Sequence, residues 1–424
     1  MKILVEPSDY VIRNFGDTAM LEAGITRLSK TFPEYKIFVF SDHPGQFPAY
    51  CENVTAVSTK GRKEWFKYGF SIFVSSSNHN LLARILRRVD YLIAWRFPFI
   101  RLQLVKLVLK IKREDIDSVV EFYTMVQQSK YLVVTGMGGL TDSFSQYALE
   151  LLAVLRLSQK LGNKVALFGQ GIGPISNDFL FQCTKSVLKD SEITALRESK
   201  FAVPILKSMG VNIEKIFSTG DDAIELAYQK NNTSCRECLG INIRSASYSG
   251  VSANDVMSLK IAVQKSATAL KAELVALPIS RVPGEQDMST IDKLTEGYFS
   301  VKKFDSEVAT RSDLLDRMNL CRLVITGSYH GGVFALSMGI PVVCIVSSDY
   351  YYNKFYGLKS QFNTGVAVIR ISEDNWTEVF EESVSRLWIE SEGLRDTLLH
   401  EARNQIKQSH SAYAHLFEIV TECA

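Results

Sequence analysis

Short apolar runs alternate with longer amphipathic patterns along most of the chain, and this alternation predicts the fold class. Such runs, bounded by glycine or polar residues, are typical of buried parallel strands. The predicted strands are residues 2–5, 35–40, 131–135, 164–168, 193–197, 239–244, 273–278, 323–326 and 342–346. Helical patterns lie between them, and the chain is predicted to be helical from Trp376 onward. Alternating strands and helices predict an α/β protein with parallel sheets.

A polar linker at 229–237 divides the alternating pattern into two halves. A chain of 424 residues is also longer than one hydrophobic core usually serves. We therefore predict an N-terminal Rossmann-like domain over 1–230 and a C-terminal Rossmann-like domain over 239–424, which ends in helices. Two doubly wound domains of this kind are expected to face each other across a cleft.

The segment 326–336, with the sequence TGSYHGGVFAL, combines a strand end, a glycine turn and the start of a helix. It presents Ser328, Tyr329 and His330 where ligands of α/β proteins bind, between strand ends and helix amino termini. The ordinary pKa of histidine lies near neutrality, so His330 can transfer a proton. A loop histidine can instead only fix the turn through a backbone carbonyl, but the flanking glycines favour the catalytic role.

Two glycine-rich segments in the first half are predicted to be turns at strand ends. They are 136–139 (GMGG), which contains Gly138 and Gly139, and 169–174 (GQGIGP), which contains Gln170 and Gly171. Glycine lets backbone N–H groups approach an anion or a sugar closely. Neither segment matches the dinucleotide fingerprint or the phosphate-binding loop, so the support for a nucleotide cofactor is weak. The alternative for each segment is a tight turn without a ligand.

Three basic residues are candidates for binding an anionic substrate. Arg197 and Arg244 lie at predicted strand ends on the cleft side, and Lys354 lies in a predicted loop after a run of tyrosines. Arginine binds carboxylate and phosphate groups through two parallel hydrogen bonds. Each residue alone could be an ordinary surface charge, but their joint placement favours a small anionic substrate.

These pieces, taken together and in their order along the chain, resemble the polysaccharide pyruvyl transferase family. The matching segments are 14–17 (NFGD), 136–142 (GMGGLTD), 169–174 (GQGIGP), 196–199 (LRES), 220–223 (GDDA), 242–244 (NIR), the histidine segment, and Tyr352 with Lys354 and Gly357. The resemblance implies a GT-B-like architecture. It also implies transfer of pyruvate from phosphoenolpyruvate to a sugar, as a ketal, in the synthesis of surface polysaccharide such as exopolysaccharide.

The resemblance also implies roles for individual residues. His330 would be the general acid, or the base for the incoming hydroxyl group, and Asp17 or Asp221 would orient the sugar hydroxyls. The residues expected to bind substrate are Gly16, Asp17, Gly138, Gly139, Gln170, Gly171, Arg197, Asp221, Arg244, Ser328, Tyr329 and Lys354. No cofactor and no metal are expected for this reaction.

The chain departs from the family pattern at one position. The family usually has an arginine two residues before the catalytic histidine, and this chain has Ser328 there. That arginine would help to hold the donor. We therefore expect another basic residue to replace it, with Arg244, Arg281 and Arg311 as candidates.

Net charge, the apolar runs and the cysteine content indicate which partners to expect and in which compartment the protein works. The net charge of +2 gives no argument for nucleic acid binding. We find no signal peptide pattern and no apolar run of about 20 residues, which predicts a cytoplasmic protein. The seven scattered cysteines suit a reducing compartment. Cys235 and Cys238 form a lone C-x-x-C pair, which we interpret as part of the linker rather than as a zinc or redox site.

Residues 79–113 form a basic segment with nine Lys or Arg residues and one acidic residue, Asp90. Leucine, isoleucine, valine, phenylalanine and tryptophan fill the intervals. Such a segment can lie on an anionic membrane surface, here the inner face of the plasma membrane. The alternative is an inserted helical pair packed on the first domain. The membrane hypothesis fits an acceptor that is a lipid-linked saccharide.

Two further functions stay open at this point. A GT-B-like glycosyltransferase that uses a nucleotide sugar would place a diphosphate at the same glycine turns. A non-catalytic member of an assembly complex at the membrane would use the cleft for binding alone.

Overall fold

The computed structural model of the chain describes residues 1–49, 54–68, 85, 89, 92–232, 236–244, 253–282, 287–304 and 307–422. The strands are β1 (Lys2–Glu6), β2 (Lys36–Ser41), β3 (Val54–Ser58), β4 (Tyr131–Val134), β5 (Met137–Leu140), β6 (Lys164–Ile172), β7 (Ile193–Leu196), β8 (Ile216–Ser218), β9 (Cys238–Asn242), β10 (Glu273–Ala276), β11 (Cys321–Thr326), β12 (Val342–Val346) and β13 (Val366–Arg370). They form two parallel sheets, so the predicted α/β fold with two Rossmann-like halves is confirmed.

Helices follow most of these strands. They are α1 (Phe15–Thr31), α2 (Lys60–Lys67), α3 (Pro98–Lys112), α4 (Asp117–Gln128), α5 (Ser145–Lys160), α6 (Asp178–Lys189), α7 (Ala202–Met209), α8 (Ile224–Lys230), α9 (Ala253–Leu270), α10 (Asp287–Thr295), α11 (Arg311–Met318), α12 (Tyr329–Ser337), α13 (Asp349–Phe362) and α14 (Trp376–Glu422). None of the helices in the described ranges is long and apolar enough to cross a bilayer.

The first sheet has the strand order β3-β2-β1-β4-β6-β7-β8, and β5 pairs with the end of β6. Successive side chains of β1 enter different cores, because side chains of a strand alternate between the two faces of a sheet. Leu4 packs in one apolar cluster, and Ile3 and Val5 pack in another on the opposite face. The sheet is therefore covered on both faces, as parallel sheets require.

The second sheet has the strand order β10-β9-β11-β12-β13. Its strand β11 shows the same alternation, with Leu323 and Ile325 in one core and Val324 in the other. The carboxyl ends of both sheets face each other. The backbone N–H of Phe15, after β1, donates to the carbonyl of Ile279, after β10, at 3.1 Å. The loops that follow these strands therefore form the cleft.

The last helix, α14, packs on both sheets. Near its start, Phe380 and Val384 lie in a core of the second sheet. Near its end, Tyr413 stacks on Phe168 of β6, with ring centres 3.8 Å apart, and Leu416 enters the core of the first sheet. The predicted domain limits, 1–230 and 239–424, stay a prediction, and the final turns of the chain contact the first sheet.

Three local predictions were wrong. The segment 136–139 was predicted as a turn, but 137–140 forms β5 and pairs with β6. Residues 169–172 extend β6 because Gly169, at a φ of +61°, absorbs the irregularity in its pairing with β7. Lys354 was placed in a loop, but it lies in α13, whose start is capped by the Ser348 hydroxyl.

The basic segment 79–113 lies partly outside the described residues. Those left undescribed include Arg84, Arg87 and Arg88. The described part contains α3, which packs on α2 and α4 through Leu102, Val105 and Leu109. This contact agrees with the alternative interpretation of the segment, an inserted helical pair packed on the first domain. It involves one face of α3 and not the opposite face.

Candidate active site

His330 lies in the first turn of α12, directly after β11. The turn before it is fixed by the hydroxyl of Thr326, which donates to Oδ1 of Asn242 at 2.8 Å and accepts from the backbone N–H of Ser328 at 3.0 Å. Gly331 follows because a β-carbon there would lie 2.3 Å from the Thr326 hydroxyl oxygen. These contacts hold the imidazole at the carboxyl edge of the second sheet.

The first sheet contributes the surface on which the imidazole packs. A β-carbon at Gly16 would lie 2.0 Å from Cγ and Nδ1 of His330, so only glycine fits there. Asn14 starts α1 by accepting from the N–H groups of Gly16 and Asp17. The 14–17 segment thus places Gly16 against the histidine and turns Asp17 into the cleft.

Asp221 is the acidic partner of His330. Its Oδ2 lies 3.7 Å from Nε2 of His330, and neither atom has a hydrogen-bond partner among the described residues. Burial, together with the positive charges of Arg197, Lys354 and Arg244, lowers the pKa of His330 well below its usual value. Burial raises the pKa of Asp221 to about 6. At neutral pH the pair is therefore a neutral imidazole beside a carboxylate.

Arg197 follows β7 and occupies a slot made by two glycines. A β-carbon at Gly138 would lie 2.1 Å from Nη2 of Arg197, and one at Gly171 would lie 2.7 Å from Nε. The guanidinium carbon lies 4.4 Å from the ring centre of Tyr329, and Nη1 lies 3.8 Å from Oδ2 of Asp221. Nη2 is buried without a hydrogen-bond partner in the described chain. The guanidinium is thus held rigidly with one edge left to bind a ligand.

Lys354 reaches the same place from α13 of the second half. Its Nζ lies 4.3 Å from the ring centre of Tyr350 and would lie 2.9 Å from a β-carbon at Gly138. Tyr350 donates to the carbonyl of Gly138 at 2.9 Å, which joins the two halves. Burial and then the charge of Arg197 lower the pKa of Lys354 well below its usual value. An incoming anion would reverse this shift.

A cavity of about 230 Å³ lies between these groups. Its lining combines backbone from both glycine segments with Arg197, Tyr329, Tyr350 and Lys354. The acidic side chain in this lining, Glu198, accepts from the backbone N–H of Phe201. The volume equals that of roughly eight water molecules. The cavity therefore suits a small anion with more than one negatively charged group.

Asp17 completes the group of charged side chains. Its carboxylate accepts from the Ser8 hydroxyl at 2.9 Å. Burial, and then the charge of Asp9, raises the pKa of Asp17 to about 6, against the opposing effect of Arg197 and Lys354. Asp17 and Asp221 thus titrate near the same pH, and the negative charge of Asp17 adds to the upward shift of the pKa of Asp221.

Several predicted residues support the site without lining the small cavity. Gln170 is buried and donates to the carbonyl of Phe168, Gly139 packs beside the ring of Tyr147, and Ser328 precedes the first turn of α12. The structure gives these residues structural contacts, whereas we predicted that they contact substrate.

The structure also locates the three candidates for the missing arginine. Arg244 pairs with Asp287 at 2.6 Å, close enough to lower the pKa of His330. Arg281 donates to the carbonyl of Ala309 at 2.7 Å, and Arg311 pairs with Glu22 at 2.8 Å. Arg281 and Arg311 line a different cavity, so the cations that line the small one are Arg197 and Lys354.

That second cavity is open, has a volume of about 1260 Å³, and lies between the two sheets. Phe15 and Thr18 of α1 line it, whereas the charge of Asp17, between them, interacts with Arg197 and Lys354 of the small cavity. Its basic lining residues are Arg13, His43, Arg281, Lys302, Arg311 and Arg317. The start of α1 therefore separates a small cationic cavity from a much larger one.

Sequence reasoning missed residues that act across the cleft or beneath it. Tyr350 joins the halves, and Asp287 holds Asn242 and Arg244 together through both carboxylate oxygens. The run of tyrosines before Lys354 was a sequence signal for Tyr350. No sequence signal pointed to Asp287, because the segment before it shows no motif and no hydrophobic periodicity.

The described residues contain no group of three or more His, Cys, Asp or Glu side chains that could hold a metal ion. Cys235 of the C-x-x-C pair lies outside the described ranges. Cys238 is a buried free thiol in β9, and burial raises its pKa.

Comparisons with known proteins bear on the family and the fold of this chain. A sequence model of the polysaccharide pyruvyl transferase family matches residues 14–349, which include Arg197, Asp221 and His330 and end before Lys354. The comparison with curated proteins gives no match.

The fold resembles that of solved structures over nearly their whole length. A UDP-GlcNAc 2-epimerase from Neisseria meningitidis, bound to UDP-GlcNAc, has a TM-score of 0.54 at 12% identity, with 100% of this chain and 99% of that chain covered. A glycosyltransferase from Rickettsia africae has a TM-score of 0.54 at 10% identity, with 100% of this chain and 99% of that chain covered. UGT89C1 from Arabidopsis thaliana, in complex with quercetin, has a TM-score of 0.55 at 9% identity, with 98% of each chain covered. Identities this low show the GT-B-like fold alone.

Proposed function

Because the chain belongs to the polysaccharide pyruvyl transferase family, we propose that it transfers pyruvate from phosphoenolpyruvate to a pair of sugar hydroxyls. The product is a ketal in a surface polysaccharide. The observation that carries this proposal is the small cavity with Arg197 and Lys354 in its wall, close to the neutral imidazole of His330. Phosphoenolpyruvate carries a carboxylate and a phosphate, and two rigid cations in a small cavity suit such a donor.

In the proposed donor complex, Arg197 takes one anionic group through Nη2, the buried guanidinium nitrogen that has no hydrogen-bond partner among the described residues. Arginine is suited to this because its planar fork matches carboxylate and phosphate oxygens. Lys354 takes the other group and becomes fully charged when the donor is bound. These two residues together do the work that the family arginine would do at the position of Ser328.

The proposed chemistry starts with neutral His330 as a base. It takes the proton of the first sugar hydroxyl while that oxygen attacks C2 of the donor, and the imidazolium returns this proton to C3. The new C2–O and C3–H bonds replace the carbon–carbon double bond, so the addition needs no other proton. Asp221 stabilises the imidazolium through its carboxylate. The second hydroxyl then displaces phosphate, and its proton leaves on that phosphate.

We further propose that the acceptor occupies the larger cavity. Its volume of about 1260 Å³ exceeds what a three-carbon donor needs, and it adjoins the segment that holds Gly16 against His330. Its arginines suit an acceptor that carries phosphate groups, as a lipid-linked saccharide does. This proposal places the enzyme in the cytoplasm, where the donor is made.

The proposed function is tested by phosphate release from phosphoenolpyruvate by the purified full-length protein. Candidate acceptors are lipid-linked saccharides and aryl glycosides. Release that requires an acceptor supports pyruvyl transfer. Phosphoenolpyruvate left intact with every acceptor, together with turnover of a nucleotide sugar, contradicts it.

A second candidate is a glycosyltransferase that uses a nucleotide sugar. One observation favours it, namely the four arginines of the larger cavity, which could bind a diphosphate. The third, a non-catalytic assembly protein, would bind a saccharide and turn over neither donor. The same assay separates the three, because pyruvyl transfer consumes phosphoenolpyruvate, glycosyl transfer consumes a nucleotide sugar, and a binding protein consumes neither.

A further inference from the structure

The outward face of α3 exposes large apolar side chains. Phe99 is 62% exposed, Leu107 is 55% exposed and Ile111 is 73% exposed. Successive members of this group lie eight and four residues apart, so the three fall on one side of the helix, with Ile100 beside them. Among the described residues, eight of the seventeen exposed large apolar side chains lie between Ile85 and Ile111. This is therefore a patch and not the usual scatter of single exposed residues.

The charged residues from 92 to 113 all have one sign, and Asp90 lies just before this range. No acidic residue occurs between 92 and 113, and the basic residues there are Arg96, Arg101, Lys106, Lys110, Lys112 and Arg113. Arg101 does not belong to the surface, because it is buried and donates to the carbonyl of Trp65 at 2.8 Å. Arg96 precedes the helix, Lys106 and Lys110 lie along it and Arg113 ends it, whereas Nζ of Lys112 lies 5.3 Å from the ring centre of Tyr68, on the inner side.

The acidic residues that follow the helix do not neutralise this face. Asp115 pairs with Lys60 at 2.7 Å, and Glu114 accepts from the hydroxyl of Tyr68. Both carboxylates thus face α2, on the inner side of the segment. The outer side therefore combines exposed apolar groups with positive charge.

We propose that this face of α3 docks on an anionic lipid bilayer. The exposed apolar side chains enter the boundary between headgroups and acyl chains, and the flanking lysines and arginines bind the lipid phosphates. The opposite face, with Leu102, Val105 and Leu109, stays packed on the protein. The helix is therefore a fixed contact that joins the first sheet to the membrane.

A second copy of this chain fits the surface less well. A twofold contact would place the same patch on both partners, and like charges would then face each other. An anionic bilayer supplies the opposite charge and an apolar layer together. The proposal does not depend on the reaction, because docking needs no turnover.

The experiment is co-sedimentation of the full-length protein with lipid vesicles. One set contains phosphatidylglycerol with phosphatidylcholine, and the other contains phosphatidylcholine alone. The paired variants are Ile111→Ser, in the patch, and Ile389→Ser, an isoleucine of α14 that is 71% exposed. Lys110→Gln tests the charge, with Lys265→Gln as its surface control.

We expect binding to the anionic vesicles only, and loss of binding at high salt, since a Debye length of about 10 Å at 0.1 M screens such contacts. Lys110→Gln should weaken binding about fivefold, as expected for one basic residue near an anionic surface. Ile111→Ser should weaken it at least as much, and both controls should bind normally. Turnover of a soluble aryl glycoside, where present, should not change in any variant.

Two results would overturn the proposal. One is wild-type protein that ignores anionic vesicles. The other is binding that Ile111→Ser and Lys110→Gln reduce no more than their controls do. Light scattering of the same proteins adds a third test. If Ile111→Ser converts a dimer into a monomer, the patch is covered by a second copy and the membrane assignment is wrong.

Discussion

Nε2 of His330 lies 3.7 Å from Oδ2 of Asp221, and this pair joins α12 of the second sheet to the loop that follows β8 of the first. Both atoms are buried and lack hydrogen-bond partners among the residues that the structure describes, and Nη1 of Arg197 lies 3.8 Å from the same carboxylate oxygen. The histidine is neutral because burial and three neighbouring cations oppose its charge. A base of this kind needs the carboxylate as soon as it accepts a proton. Catalysis by this site should therefore depend on contact between the two halves.

Asp221→Asn should lower turnover by roughly 10- to 100-fold, because the imidazolium loses its stabilising carboxylate. The pKa of Asp221 is raised to about 6, mainly by burial, so wild-type activity should fall as the pH drops through about 6. In the variant, this decline should move to lower pH. The measurement is the pH dependence of kcat. A variant with the wild-type profile would separate Asp221 from the reaction.

Asp17→Asn should stabilise the protein at neutral pH. The folded-state pKa of Asp17 is about 6, against an ordinary value of 3.8, so the folded state holds the proton more tightly. Its favourable contribution is present below pH 3.8 and is lost as the pH rises through about 6. Removal of the ionised carboxylate should raise the free energy of unfolding at pH 7 by up to about 3 kcal/mol.

Urea unfolding of both proteins at pH 4 and pH 7 measures this difference for Asp17→Asn. The gain should nearly vanish at pH 4, where the wild-type carboxyl is already protonated in the folded protein. An equal gain at both pH values would show that ionisation is not its cause.

Gly138→Ala should weaken donor binding, because the new β-carbon would lie 2.1 Å from Nη2 of Arg197 and would displace the guanidinium. Loss of such a charge-assisted contact should raise the donor KM roughly 10- to 100-fold. The matched control is Gly393→Ala in α14, where a β-carbon meets nothing within 4 Å. Equal donor KM values for the two variants would remove Arg197 from the donor site.

Arg197→Ala should reduce donor affinity by about 1.5–3 kcal/mol, and Arg197→Lys should restore only part of it, since the fork geometry is lost. Arg311→Gln, in the larger cavity, should leave donor affinity unchanged. Titration calorimetry with phosphoenolpyruvate measures all three variants. If Arg311→Gln loses donor affinity and Arg197→Ala does not, the donor lies in the larger cavity.

The sequence contains enough information to predict the fold, because the central strands of both sheets are apolar runs that are buried on two faces. It also places His330 correctly, since a strand end and a glycine turn precede a helix there. The role of Gly138 and Gly171 could not be predicted. Each looks like a turn that binds an anion, whereas the structure shows each making room for Arg197.

Contacts across the cleft could not be predicted from the sequence either. Tyr350 and Gly138 are 212 positions apart, and no local pattern reports that the hydroxyl of one donates to the carbonyl of the other. No local pattern reports the location of Arg311 either. It pairs with Glu22 of the first half, and the cations that line the small cavity are Arg197 and Lys354. These contacts depend on the relative orientation of the two sheets, which no short stretch of sequence determines.

The most direct test of the proposed function follows carbon label from phosphoenolpyruvate into the acceptor saccharide. Wild-type protein should transfer labelled pyruvate and release phosphate in equal amounts, only when acceptor is present. His330→Ala should slow this transfer by roughly 100-fold or more while its thermal unfolding stays unchanged. Transfer by His330→Ala at the wild-type rate, or phosphate release without label in the acceptor, would contradict the account.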